Sequence, residues 1–99
     1  MIRRPNSPEE WDSYFNLRYK VLRAPWNQPR GSERNEGDAS AEHFAFFENE
    51  QIIGVGRLDF TENLGSQIRF MAVNERYQGK GIGRQLMEHM EEIARNKGC

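Results

Sequence analysis

Three glycines at alternate positions, Gly79, Gly81 and Gly83, stand inside the run from Val73 to Met87 (Val-Asn-Glu-Arg-Tyr-Gln-Gly-Lys-Gly-Ile-Gly-Arg-Gln-Leu-Met). Without a Cβ at these positions, backbone N–H groups can approach a ligand closely. An apolar strand end precedes them and an amphipathic helix follows, adding unpaired N–H groups and the positive end of a dipole. That combination suits a phosphate or pyrophosphate. Two common phosphate motifs fail on spacing. A Walker loop ends in Gly-Lys followed by Ser or Thr, whereas Lys80 is followed by Gly81, leaving no hydroxyl for magnesium. A Gly-x-Gly-x-x-Gly fingerprint fits Gly79 and Gly81, but the third glycine falls one residue early and Arg84 stands in its place. The pattern Gln/Arg-x-x-Gly-x-Gly/Ala does fit, as Gln78, Gly81 and Gly83. The plain alternative is a glycine-rich turn that only reverses the chain. The flanking strand and helix favour an anion site.

Other chemistry is sparse. His43 and His89 are the only histidines, and no Cys/His cluster has metal-ligand spacing, so the expectation is a metal-free protein. The single cysteine, Cys99, excludes an intrachain disulfide framework and suits a reducing compartment. A net charge of −1 over 99 residues offers no bulk attraction to nucleic acid or anionic membrane. No apolar run approaches the ~20 residues of a membrane span, and the N-terminus lacks a signal-peptide core. These features point to a soluble, cytoplasmic protein of one small domain. With 36% hydrophobic and 29% charged residues, its core is modest.

The elements that must position the glycine run can be read in order. Met1–Pro5 is at best a short edge strand ended by proline. Ser7-Pro8-Glu9-Glu10 starts a helix: Ser7 caps, Pro8 takes the first position and Glu10 completes a capping box. Trp11, Phe15, Leu22 and either Arg18 or Tyr19 follow at helical spacing, widened by Tyr14, Leu17 and Val21. Trp11 and Phe15 are expected on the buried face, and Pro25 stops the helix near Leu22. Ala24 to Ser40 is a long loop with at most a helical turn in Glu33–Asp38; loops of that length tend to be lids or disordered. Trp26 is expected to anchor it to the core. His43–Phe47 and Gln51–Phe60 form a hairpin about the turn Glu48-Asn49-Glu50. Gly54 and Gly56 leave one strand face bare, marking a bulge or a close approach by another element. After the turn Thr61–Gly65, Ser66–Val73 is the third strand. The last helix spans about Gly81 to Asn96, with Ile82, Leu86, Met90, Ile93 and Ala94 as its stripe and Met87 beside it. Gly98 caps it, and His89 is expected in solvent.

The motif from Val73 to Met87 resembles the acetyl-CoA-binding motif of the GNAT superfamily of N-acetyltransferases. The order helix, long loop, three strands, glycine loop and helix resembles the first two-thirds of such a domain. The resemblance implies an α/β (α+β) fold with a mixed, mainly antiparallel sheet flanked by helices, lacking the C-terminal strands. It implies that the pyrophosphate of acetyl-CoA, a co-substrate, lies on Gln78, Gly79, Lys80, Gly81, Ile82 and Gly83, with Arg84 just inside the helix. The pantetheine arm would bond like an added strand to Met71, Ala72 and Val73. The acceptor would be a small-molecule or peptide amine, meeting the thioester near Gly54–Gly56 and the Pro25–Ser32 loop.

Direct acyl transfer needs a proton acceptor and an oxyanion site. Several relatives carry Glu on the strand entering the motif where this chain has Gln67, and glutamine cannot act as a base. Glu62, Asp59, Glu42 and His43 could act through water, and nothing in the sequence chooses among them. The family's usual acid, a Tyr on a later helix, falls beyond Cys99. The catalytic residues therefore stay unassigned. The rival reading is a catalytically silent CoA-binding or protein-interaction module. The chain is expected to be one incomplete domain, residues 1–99, whose open edge from Ile68 to Val73 invites a homodimer or further residues.

Overall fold

A computed structural model describes residues 1–63 and 65–98. Leu64, which the sequence puts in a turn, and the terminal Cys99 lie outside them. Strand β1 (Ile2–Arg3) is followed by helix α1 (Pro8–Leu22), strands β2 (Glu42–Glu48), β3 (Gln51–Thr61) and β4 (Gly65–Val73), and helix α2 (Ile82–Asn96). The strands lie in the order β1-β2-β3-β4, each antiparallel to its neighbour.

Helix α1 begins where the sequence places it. Ser7 is extended and its Oγ accepts the Glu10 N–H at 3.1 Å. The Glu10 carboxylate reaches back one residue further than a standard capping box. It accepts from the Asn6 N–H at 2.9 Å and takes both ends of the Arg3 guanidinium at 2.9 and 2.8 Å. The buried stripe is centred elsewhere than expected. Tyr14, Leu17 and Arg18 are buried, whereas Trp11 and Phe15 are only half-buried at its margin. The reason is a polar site beneath α1, which takes the Tyr14 hydroxyl and the Arg18 guanidinium.

Asn49 and Glu50, both at positive φ (51° and 66°), form the two-residue turn between β2 and β3. That geometry matches the twist of the flanking strands. The β3 glycines answer to helix packing. A Cβ at Gly54 would stand 2.9 Å from Leu86 Cδ1, and one at Gly56 2.6 Å from Met90 Cε. Helix α2 therefore lies directly on β3. Ile82, Leu86, Met90 and Ala94 pack with Phe44, Ile53 and Leu58 on that face. Tyr14 and Leu17 pack with Ala45, Phe47, Ile52, Val55 and Ala72 on the other. His89 is half-buried, its ring edge-on to Phe44 at 5.3 Å, because the helix stripe is wider than its apolar residues suggest.

The long connection after α1 contains two short 3-10 turns, Ala24–Trp26 and Glu36–Ala39. Trp26 does not anchor it: the side chain is 67% exposed. The anchor is ionic. Asp38 Oδ1 accepts from buried Arg18 at 2.9 Å and from buried Arg57 at 3.0 Å. Arg57 also donates to Asn35 Oδ1 at 2.6 Å, and Arg18 to the Glu33 carbonyl at 3.0 Å.

Candidate active site

Between β4 and α2 the chain makes a 3-10 turn, Glu75–Tyr77, capped by Asn74, whose Oδ1 accepts the Arg76 N–H at 2.9 Å. The Asn74 N–H holds the turn to the Ile53 carbonyl at 2.8 Å, and Gln78 Nε2 donates to Val73 O at 3.1 Å. Gln78 thus ties the loop back to the strand end. Gly79 and Gly81 follow at φ 81° and 83°, the left-handed region where other residues are strained. No heavy atom stands within 4 Å of a Cβ built at either. Their requirement is therefore one of backbone angle, and the space before them is open.

Gly81 is the N-cap of α2, and no side chain caps that end. Its carbonyl accepts the Gln85 N–H at 3.0 Å, the first helical bond. The N–H groups of Ile82, Gly83 and Arg84 precede that bond and have no intrahelical acceptor. Lys80 and Arg84 are exposed alongside, with Lys80 Nζ 5.6 Å from the Tyr77 ring centroid. A Cβ at Gly83 would meet Met71 Cε at 3.5 Å and Val73 Cγ2 at 3.6 Å. Gly83 therefore sets α2 against the end of β4. Met71 and Val73 pack on the α2 side beside Gly83, and Ala72 packs on the α1 side. Ala72 is buried and its two neighbours half-buried.

Strand β4 is irregular beside these residues. Val55 pairs with Ala72 and Arg57 with Arg69, so two steps on β3 match three on β4. The extra residue lies at Phe70–Met71, and Phe70 takes φ 53°. Such a bulge turns backbone groups out of the ladder. The strand's far edge pairs with no strand among the described residues.

The polar groups nearby are already engaged. Arg57 Nε and Nη2 donate to the two oxygens of Asp59 at 2.6 and 2.7 Å. Gln67 is the cross-strand partner of Asp59. His43 Nε2 stands 2.8 Å from the Asp38 carbonyl, which can only accept, so this nitrogen carries the proton. Nδ1 stands 2.8 Å from Tyr14 Oη, itself 3.0 Å from the Gly56 carbonyl and 3.1 Å from Arg18 Nη2. Burial lowers the His43 pKa and pushes the Tyr14 hydroxyl up to about 12, so both are neutral near pH 7. Burial alone would raise Asp38, but donors from Asn35, Arg18 and Arg57 outweigh it and its pKa is lowered. Among the proton acceptors raised by the sequence, Glu42 pairs with Lys97 at 2.8 Å and Glu62 is exposed in a turn. Asp59 is the one aligned with Gln67. No group of three His, Cys, Asp or Glu among the described residues could hold a metal. No helix among them is long and apolar enough to cross a membrane.

The sequence raises Arg18 and Asp59 singly, but not the cluster that they form with Asp38 and Arg57. A signal for the cluster is Arg57, a charge inside the apolar run from Ile52 to Leu58.

Residues 9–99 match the model of the acetyltransferase (GNAT) family. The chain belongs to the GNAT family. Among solved structures it is similar to an acetyltransferase from Bacillus subtilis in complex with CoA, at 24% identity and TM-score 0.77, covering 98% of this chain and 59% of that one. It is also similar to an IAA acetyltransferase from Bacillus cereus, at 25% identity and TM-score 0.73, covering 99% and 59%. An aminoglycoside 6'-N-acetyltransferase complexed with coenzyme A shares 17% identity at TM-score 0.79, covering 99% and 57%. The chain thus spans under three-fifths of each of these three structures. At such identities the likeness concerns the fold, a four-stranded antiparallel sheet between helices. Within this GNAT chain the glycine loop and uncapped α2 lie at one end of β4, and the bulge and guanidinium cluster lie further along it.

Proposed function

We propose that this chain binds acetyl-CoA and transfers its acetyl group to a primary amine by direct attack. The observation that carries the reading is the uncapped N-terminus of α2, approached through two left-handed glycines and adjoining the unpartnered edge of β4. The pyrophosphate would sit on the amides from Gln78 to Gly83, with Lys80 and Arg84 supplying positive charge. The pantetheine arm would pair with Met71, Ala72 and Val73 as an added strand. In the reaction the amine nitrogen bonds the thioester carbonyl carbon, the C–S bond breaks, and the thiolate leaves. The proton lost by the amine ends on that sulfur through solvent. Outward amides at the bulge supply a place for the carbonyl's developing negative charge. We assign these roles within one domain, residues 1–99, working in the cytoplasm.

A silent CoA-binding module is the second reading, favoured by Gln67 and by the double guanidinium grip on Asp59. Calorimetry and thiol release separate the two. CoA should bind the folded chain, and Gly81→Asp should weaken binding by at least tenfold, since a carboxylate then faces the pyrophosphate. No binding to folded protein, or unchanged affinity in the variant, would sink the assignment. Binding without thiol release across an amine panel would favour the silent module. With Gln67 where several relatives carry Glu, and Asp59 held by Arg57, the rate should rise with pH toward the acceptor amine's own pKa. A plateau set by a group titrating near pH ~6–7, where tuned bases work, would reveal a base on the protein.

A further inference from the structure

Beside the bulge, on the α1 face of the sheet, a trough runs between the end of α1 and β4. Leu22, Arg23, Gln67, Arg69 and Phe70 line it, and it ends at Met71. Leu22 and Arg23 also line the adjoining hollow that reaches exposed Trp26. Among the described residues that line the two, the ionisable side chains are guanidiniums, Arg23 and Arg69.

The Phe70 ring stands among four cations. The guanidinium carbons of Arg18, Arg57, Arg69 and Arg23 lie 4.5, 4.8, 5.5 and 5.6 Å from its centroid. Two carboxylates answer them. Asp38 takes Arg18 and Arg57; Asp59 takes Arg57 and lies 3.7 Å from Arg69. The buried guanidiniums are thus the neutralised ones, and the excess charge belongs to the two that line the trough. Among the described residues Arg23 donates to carbonyls, Ser32 O at 3.0 Å and Leu22 O at 3.0 Å, which hold its position without cancelling its charge. Arg69 is 45% exposed, and its contact with Asp59 is long at 3.7 Å. Fixed cations beside an aromatic wall attract an anion and repel a second cation.

Resting on the function proposed above, we infer that the acceptor is a small amine that also bears a carboxylate, such as an amino acid. The carboxylate is taken by Arg23 and Arg69, and the amine points along β4 toward Met71–Val73. Polycations, whether polyamines or aminosugars, are poor acceptors for the same reason.

The test compares acceptors matched in everything but the acid. Amino acids and their amides are offered with acetyl-CoA to the full chain, beside spermidine and kanamycin, and thiol release is followed. At least one amino acid should exceed its amide tenfold or more in kcat/KM, and the polycations should fall below it. Arg69→Gln should raise KM for that amino acid at least fivefold and bring the acid-to-amide ratio toward one. Arg69→Lys should restore part of the preference. Should Arg23→Gln loosen the loop, Arg69→Gln carries the test, since its one ion pair among the described residues is the long one to Asp59. A second arm titrates the N-acetylated amino acid into CoA-loaded protein, where saturable binding should weaken in Arg69→Gln. Preference for amides or polycations overturns the inference. So does an unmoved KM in Arg69→Gln, or a CoA-loaded chain that engages neither amino acid nor product. Failure to bind CoA at all would instead overturn the reading beneath it, and this inference with it.

Discussion

The hydroxyl of Tyr14 has one proton and three polar neighbours. With His43 neutral, the proton goes to Nδ1, while the oxygen accepts from Arg18. Tyr14→Phe leaves the imidazole nitrogen and an Arg18 N–H without that partner in a buried place, and should cost about 1–3 kcal/mol, read from urea unfolding. The titration of these groups has a definite sign. Tyr14 is raised above its unfolded value, so its contribution is complete below pH 10 and lost as pH climbs toward 12. His43 is lowered, so its contribution is complete above pH 6.5 and lost as pH falls through the folded value. Of the chain's three tyrosines, one should ionise about two pH units late in an ultraviolet titration. Three tyrosines ionising together near pH 10 in the folded protein would contradict this placement.

At the scale of elements, the glycines of β3 and of the loop do different work. A Cβ at Gly54 would stand 2.9 Å from Leu86 Cδ1 and 3.0 Å from Ile82 Cγ2, both on the buried face of α2. Gly54→Val must therefore push helix from sheet, and should lose about 1–3 kcal/mol to overpacking, measured by denaturant midpoint. Gly83→Ala adds a methyl at ordinary contact distance within a helix, so the fold should keep its stability. If CoA affinity nevertheless falls in that variant, the loss belongs to the ligand and not to the scaffold. At the other helix, Ser7→Ala removes the cap on the Glu10 N–H and should cost about 1 kcal/mol. A midpoint unchanged in Gly54→Val would mean that α2 does not bear on β3.

For the whole molecule, the exposed edge of β4 is the feature with most consequence. Ile68, Met71 and Val73 are only half-buried there, and the strand pairs on one side alone among the described residues. An open strand edge offers unpaired backbone groups to another chain. A net charge of −1 opposes association weakly. The 99-residue chain should therefore self-associate, with a light-scattering mass that rises above 11.6 kDa as concentration increases. Saturating CoA should reduce that association if the pantetheine arm competes for the same edge. A mass that stays at that of one chain at every concentration would argue that the edge is protected another way.

Local and periodic features were legible in the sequence: the Ser7-Pro8 helix start, the hairpin about Asn49-Glu50, the α2 stripe and the glycine loop. Each depends on neighbours within a few residues, where backbone angles, capping and helical spacing act directly. The family resemblance rested on the same loop, because its glycines stand within a few consecutive residues. What only the tertiary structure decided involves partners far apart in the chain. Arg18 is buried beside Tyr14 on α1's face because Asp38, twenty residues on, supplies its counter-charge. Trp26, read as an anchor, stands in solvent because Asn35 and Asp38 already fasten the loop to Arg57. The bulge at Phe70 exists only relative to the β3 register, which no pattern in Ser66–Val73 encodes by itself. The cationic trough likewise needs the end of α1 brought against β4. Sequence spacing reports which groups a segment presents; only the packing of α1 on the sheet decides which charges remain unpaired.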